Sequence, residues 1–304
     1  MKKTYLLFTA FMACVFLFTG CKKNELVLIY DANGGGGSME NQVFEEGVQQ
    51  VLNANEFTRT GYIFKGWNTK ADGSGSSYRD KQLVRLYANL GLYAQWVDPA
   101  GGGTPCPGIP TMNDIDGNTY NTVQIGSQCW MRENLKTTKY ATGENILLVT
   151  DNQVWYYLNE GAMCYYNNDA SNAAVYGALY NGYTIDDGDL CPEGWHVPTN
   201  DEWNILANEL GGANVAGYKM KTAYDWYSRW YEYDGSGSNE SGFSAFPAGL
   251  RPSSFLYLGS ASYFWSSTDY SSGKIARSLD SDSNQLGINS GGGYYGFSVR
   301  CIKD

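Results

Sequence analysis

His196 is the one histidine in 304 residues. It lies in the stretch DLCPEGWHVPTNDEWNIL, between Trp195 and Val197 and five residues after Cys191. An imidazole near a cysteine is material for nucleophilic catalysis, in which the base takes a proton from a thiol or hydroxyl. That chemistry needs a recognisable nucleophile motif, and none flanks His196. A zinc site of the usual kind takes several His or Cys ligands. A packed or hydrogen-bonding histidine is therefore expected. The acids raise a second chemistry. Asp186, Asp187 and Asp189 are close enough in sequence to hold a hard cation, though a solvated turn is the simpler expectation. Asp114 and Asp116 precede Gly117 as in part of an EF-hand loop. Met112 and Val123 stand where that loop needs acids, so a hairpin turn is expected instead. Neither a metal ligand set nor a cofactor site is expected.

Local signals predict the elements that position these residues. Thr199 and Glu202 form a Thr-x-x-Glu capping box. Asp201 and Glu202 fall in the first turn, where the helix dipole favours acids. Trp203, Leu206 and Leu210 share one apolar face, and Gly211-Gly212 supplies the stop. His196 lies just outside this helix. Residues 26–30 read as a short strand ending at Asp31 and a glycine run, and residues 87–96 as another strand. Trp67 and Tyr78 flank a strand–turn–strand unit turning at Asp72-Gly73. Asp116-Gly117-Asn118 is turn chemistry before an alternating strand at 120–125. Residues 97–110 carry Pro99, Pro105, Pro107 and Pro110, half of all the prolines, among several glycines, and read as a linker. The expected organisation is a leader at 1–20, a domain at 26–96, the linker at 97–110 and a larger domain at 111–304.

Composition limits the functions. Basic residues number 21 and acidic residues 31. Without residues 1–20, which hold two lysines and no acid, 19 basic residues face 31 acids, a net charge of −12. Nucleic acid is not an expected partner, because phosphate binding needs a basic face. Charged residues are only 17% while Tyr, Trp and Gly abound, a mix suited to short strands and turns. The fold class expected is α+β, mostly β.

The leader MKKTYLLFTAFMACVFLFTGC has two lysines, an apolar run too short to span a bilayer, and Thr19-Gly20 before Cys21. It resembles the lipobox of bacterial lipoproteins, with Phe18 where leucine is usual. That resemblance implies lipidation at Cys21, a membrane partner through the acyl anchor, and a cell-envelope location at the outer membrane or surface. YIFKGWNTKADGSGSSY with a terminal LYAQW resembles the Listeria–Bacteroides (internalin-type B) repeat, which implies a small β-grasp-like domain. LNANEFTRTGY lacks the proline many members carry.

DGNTYNTVQIGSQCWMRENLKT, CPEGWHVPTNDEW, SGFSAFPAGLRP and GFSVRC, in that order, resemble the Fibrobacter succinogenes major paralogous domain. VPTNDEW and GFSVRC are also similar to the formylglycine-generating sulfatase-modifying family, which implies a C-type-lectin-like core with long loops and adjacent ends. Cys191 and Cys301 lie in the two most recognisable motifs and are paired on that ground. Cys106 with Cys129 is the second pairing, leaving Cys164 over. Five reduced, buried thiols are the alternative. The function implied is a non-catalytic surface binding or adhesion module. Its partner would be a glycan, contacted by tyrosines and tryptophans, or another cell-surface molecule. The other reading is an enzyme of the sulfatase-modifying kind. The calcium-lectin signatures Glu-Pro-Asn and Trp-Asn-Asp are absent.

Overall fold

A computed structural model describes residues 24–97, 102–187, 189–227, 235–271 and 273–304. Cys21 and the leader lie outside the described residues. The chain divides into two compact units, Met1–Phe57 with Gly66–Ala94, and Thr58–Lys65 with Gln95–Asp304. Strands dominate both, so the molecule is mostly β.

The first unit is a small mixed sheet. Its strands are β1 (Glu25–Asp31), β2 (Gln42–Glu45), β3 (Gln49–Val51), β4 (Ile63–Asn68), β5 (Ser77–Tyr78), β6 (Leu83–Arg85) and β7 (Leu90–Val97). The sheet order is β2-β1-β7-β4-β5, with β3 and β6 as a separate ribbon. β1 and β7 form a parallel pair. Along β1 burial alternates: Leu28 and Tyr30 face the core while Val27 and Ile29 face water, the period of two that a pleat imposes. Trp67 is buried against Tyr30, ring centroids 4.7 Å apart. Trp67 also pairs across the sheet with Tyr78, around the turn expected at Asp72-Gly73. β7 begins three residues later than the spacing predicts. Tyr87 is exposed, and Asn89 Oδ1 instead accepts from the Val27 amide.

In the second unit one sheet runs in the order Trp195–His196, Ile302–Lys303, Gln128–Met131, Thr119–Ile125, Thr111–Asn113. Its earliest and latest strands therefore share a sheet. Another runs Leu256–Leu258, Ala248–Leu250, Ala261–Tyr270, Gly273–Asp280, Gly287–Gly292. Successive residues serve different cores. Phe264 packs with Trp130, Trp203 and Phe243, while Trp265 packs with Met131, Tyr180 and Phe297. A strand covered on both faces reads as nearly continuous apolar sequence rather than alternation. The Asn200–Glu209 helix carries its capping box, with Trp203 and Leu206 fully buried. Of the segment 97–110, residues 102–110 are tied into this unit. Gly102 N donates to Asn239 O, Thr104 pairs with Gln124, and Cys106 is bonded to Cys129.

Candidate functional site

His196 sits on the two-residue strand Trp195–His196, paired with Ile302–Lys303. Its Nδ1 lies 2.6 Å from Asp304 Oδ1 and its Nε2 lies 2.9 Å from Glu202 Oε1. The other Glu202 oxygen accepts from the Thr199 amide and hydroxyl. One side chain thus closes the helix cap and reaches the imidazole. Burial acts to lower the His196 pKa, but the bonds to Asp304 and Glu202 outweigh it and raise the pKa above its ordinary value. Both ring nitrogens face carboxylates, so neither is turned toward a substrate. His196 is a clasp that fastens Asp304 to the start of a helix.

The cysteines tell a similar story. Cys191–Cys301 and Cys106–Cys129 are disulfides, the two pairings expected from the sequence, and Cys164 is free and buried. Burial pushes the Cys164 thiol up to about 11, despite nearby Arg251, so it holds its proton at neutral pH. The acids are also engaged. Asp186 pairs with Lys274 at 2.7 Å, and Asp187 accepts from Tyr140 at 2.9 Å. Asp114 accepts from the amides of Asp116 and Asn118 and from the Tyr120 hydroxyl. That is the hairpin turn. Among the described residues no group of three or more His, Cys, Asp or Glu could hold a metal ion.

Sequence reasoning missed a set of buried cations. Arg251, Arg277, Arg300 and Lys221 are each at most 1% exposed, where an unsatisfied charge would cost several kcal/mol. Each donates to neutral oxygens of the backbone or of asparagine side chains; Arg277 takes Asn200 O, Asn200 Oδ1 and Asn204 Oδ1 at the start of a helix. Arg300 donates to Asn134 Oδ1 and to the carbonyls of Met131, Phe243 and Ser244. Lys221 Nζ donates to the carbonyls of Gly235, Asp280 and Ser283. Long loops leave carbonyls without ladder partners, and a buried cation collects them. The motifs AGLRP and GFSVRC held the only hint, an arginine within an apolar run.

Several tyrosines gather at one exposed surface. A helix, α1 (Asn152–Tyr157), is capped by Asp151, which accepts from the amides of Gln153 and Val154. Trp155 points inward, buried under the Arg251 guanidinium at 4.5 Å. Its Nε1 donates to Tyr294 O at 2.7 Å. Tyr156 and Tyr157 point outward, 42% and 76% exposed. Their ring centroids lie 5.0 Å apart, and Tyr156 lies 4.9 Å from Tyr294. Tyr294 lies 4.8 Å from Tyr295, which continues 5.6 Å to buried Phe297. The glycines before Tyr294 have a function here. A Cβ on Gly293 would come within 2.2 Å of the Tyr183 ring, so only glycine lets that ring lie against the chain. The result is a row of rings from the core outward, anchored by Trp155 and half open to water.

No part of this arrangement joins a base, a nucleophile and an oxyanion donor. Comparison with known proteins gives two family matches. Residues 123–303 match the Fibrobacter succinogenes major domain, and residues 27–95 match the Listeria-Bacteroides repeat domain. The first match spans more than half of the chain, which belongs to the Fibrobacter succinogenes major domain family. Neither is an enzyme family. A stretch of 67 residues is 33% identical to a protein of Evansella cellulosilytica named "Putative Gly-rich membrane protein". That stretch covers 22% of this chain and 8% of the relative, so the chain spans less than a tenth of that protein. No solved structure matches.

Proposed function

We propose that this chain is a lipid-anchored module of the bacterial cell envelope, and that its tyrosine row binds glycans. The anchor is the Cys21 acylation implied by the lipobox-like leader, and it places the protein at the outer membrane or cell surface. Several acyl chains hold stably where one would not, since each buried methylene contributes about 0.8 kcal/mol. The repeat-like unit then serves as a spacer. The sharing of one sheet by the second unit's first and last strands supports a C-type-lectin-like reading of that unit.

The observation that carries the glycan reading is the row Tyr157, Tyr156, Tyr294, Tyr295, with Tyr157 most open. Flat rings with a polar edge suit sugar faces, which are apolar in the middle and hydroxylated at the rim. Chemistry of the sulfatase-modifying kind needs a reactive thiol, and the described cysteines are bonded in pairs or, at Cys164, buried and protonated. The test is a glycan array probed with the full chain in detergent, with and without calcium. Binding that Tyr157→Ala weakens, and that calcium does not change, is the expected result. Failure on every glycan, or oxidation of a cysteine-containing test peptide, would overturn the reading.

A further inference from the structure

We infer that the tyrosine row selects uncharged saccharide chains and turns away those bearing carboxylate or sulfate groups. This rests on the glycan reading above and concerns the ligand class taken by the same surface. The argument is the charge of the elements that build it. Residues 149–165, 176–187 and 286–297 carry α1, Tyr183 and the Tyr294–Tyr295 pair, and they contain no lysine or arginine. They do contain Asp151, Glu160, Asp186 and Asp187. Among the described residues two cations reach these elements, and both are engaged. Arg251 is fully buried against Trp155, its guanidinium donating to Val149 O, Thr150 O and Asn152 Oδ1. Lys274 is buried and shared between Asp186 and Asp269, 2.7 Å from each.

A carboxylate or sulfate drawn onto the rings would therefore leave water and, among the described residues, find no lysine or arginine on the elements that carry them. Anionic polymers are held by Arg and Lys forks, which this face lacks. A neutral sugar needs only ring faces and neutral donors and acceptors. Those are present: Gln153 lies three and four residues before Tyr156 and Tyr157 on the same outward face of α1, and Asn159 follows. Both are exposed.

The test is affinity electrophoresis of the full chain in detergent. The gels carry neutral glucan, mannan, galactan and xylan, each beside its carboxymethylated form. Retardation by at least one neutral polymer, and none by its carboxymethylated twin at low salt, is expected. Tyr157→Ala should weaken that retardation roughly three- to tenfold, the range for one aromatic contact. Gln153→Lys, on an exposed helix face, should make the carboxymethylated twin bind. Stronger binding of a carboxymethylated polymer by the unaltered chain would overturn the charge argument while leaving the glycan reading intact. Absence of binding to any polymer would overturn the glycan reading itself. Retardation that Tyr157→Ala leaves unchanged would place the site elsewhere, and no gain from Gln153→Lys would show that charge is not the discriminator.

Discussion

The two units solve the same problem, an interior for a turn-rich chain, by different means. The first packs Leu28, Tyr30, Phe44, Trp67 and Leu92 under a sheet whose ladders satisfy most of the backbone. Among the described residues it buries one polar side chain, Asn68, which brackets a single turn. The second unit wanders through long loops and holds them with two disulfides and with buried Arg251, Arg277, Arg300 and Lys221. Where strands pair, the ladder consumes the carbonyls. Where they do not, long cationic side chains must reach in, and the chain must be cross-linked. Loops pinned in this way suit the proposed binding role of the tyrosine row, because a ring held in place loses little freedom on binding.

The comparison can be broken by asking which unit responds to a given change. The largest effect should come from the cross-links. Cys191→Ala with Cys301→Ala opens a closure 110 residues apart in sequence, which the chain-entropy model values at about 4–5 kcal/mol. Urea denaturation should show the second unit's transition moving to lower denaturant while the first, which has no described cysteine, stays put. Equal movement of both would refute the division. Arg300→Met comes next. It leaves three carbonyls and Asn134 Oδ1 without their donor, at a cost of about 3–5 kcal/mol. Tryptophan fluorescence in urea would measure it, and a loss below about 1 kcal/mol would mean water can replace the guanidinium.

Asn68→Ala probes the first unit in the reverse sense. Its Nδ2 donates to Gly73 O, Gly75 O and Ser77 Oγ, and its Oδ1 accepts from the amides of Lys70 and Gly75. A loss of about 1–3 kcal/mol confined to the first transition is expected. The smallest effect is the pH dependence of the His196 clasp. A histidine whose pKa is raised by folding stabilises fully below its unfolded value, roughly 6.5, and that contribution fades as pH rises through the folded value. Glu202 opposes this. Burial raises its pKa, but the Thr199 and His196 contacts outweigh burial and lower it, so its contribution fades as pH falls. The clasp should therefore be strongest between the two ranges. The His196 side chain is 38% exposed, so solvent screening keeps the effect below about 1 kcal/mol. His196→Gln should flatten the fall in the second unit's melting temperature as pH rises above the unfolded value of roughly 6.5. An unchanged slope would mean another group carries it.

Much of this was legible in advance, and the legible parts share a scale. The Thr199–Glu202 box, the turn at Asp72-Gly73 and the hairpin at Asp116-Gly117-Asn118 are set within four to ten residues by capping and turn chemistry. The strand at 120–125 and the buried face of Trp203, Leu206 and Leu210 follow from periodicity. The late start of β7 did not, because Asn89 was claimed by Val27 on another strand. The cation web was hidden for the same reason. An arginine that will be buried looks like any other until the loops that supply its acceptors are in place.

The sequence alone determined the helix cap, the turns, the acid-rich composition and the order of the two units, because each depends on neighbours along the chain. Only the tertiary structure decided that Tyr156 would meet Tyr294, 138 residues away, and that Asp304 would take the one imidazole. Such contacts belong to the closure of the whole domain. They form when distant segments are fixed against a shared core, and no local spacing records which segments those will be.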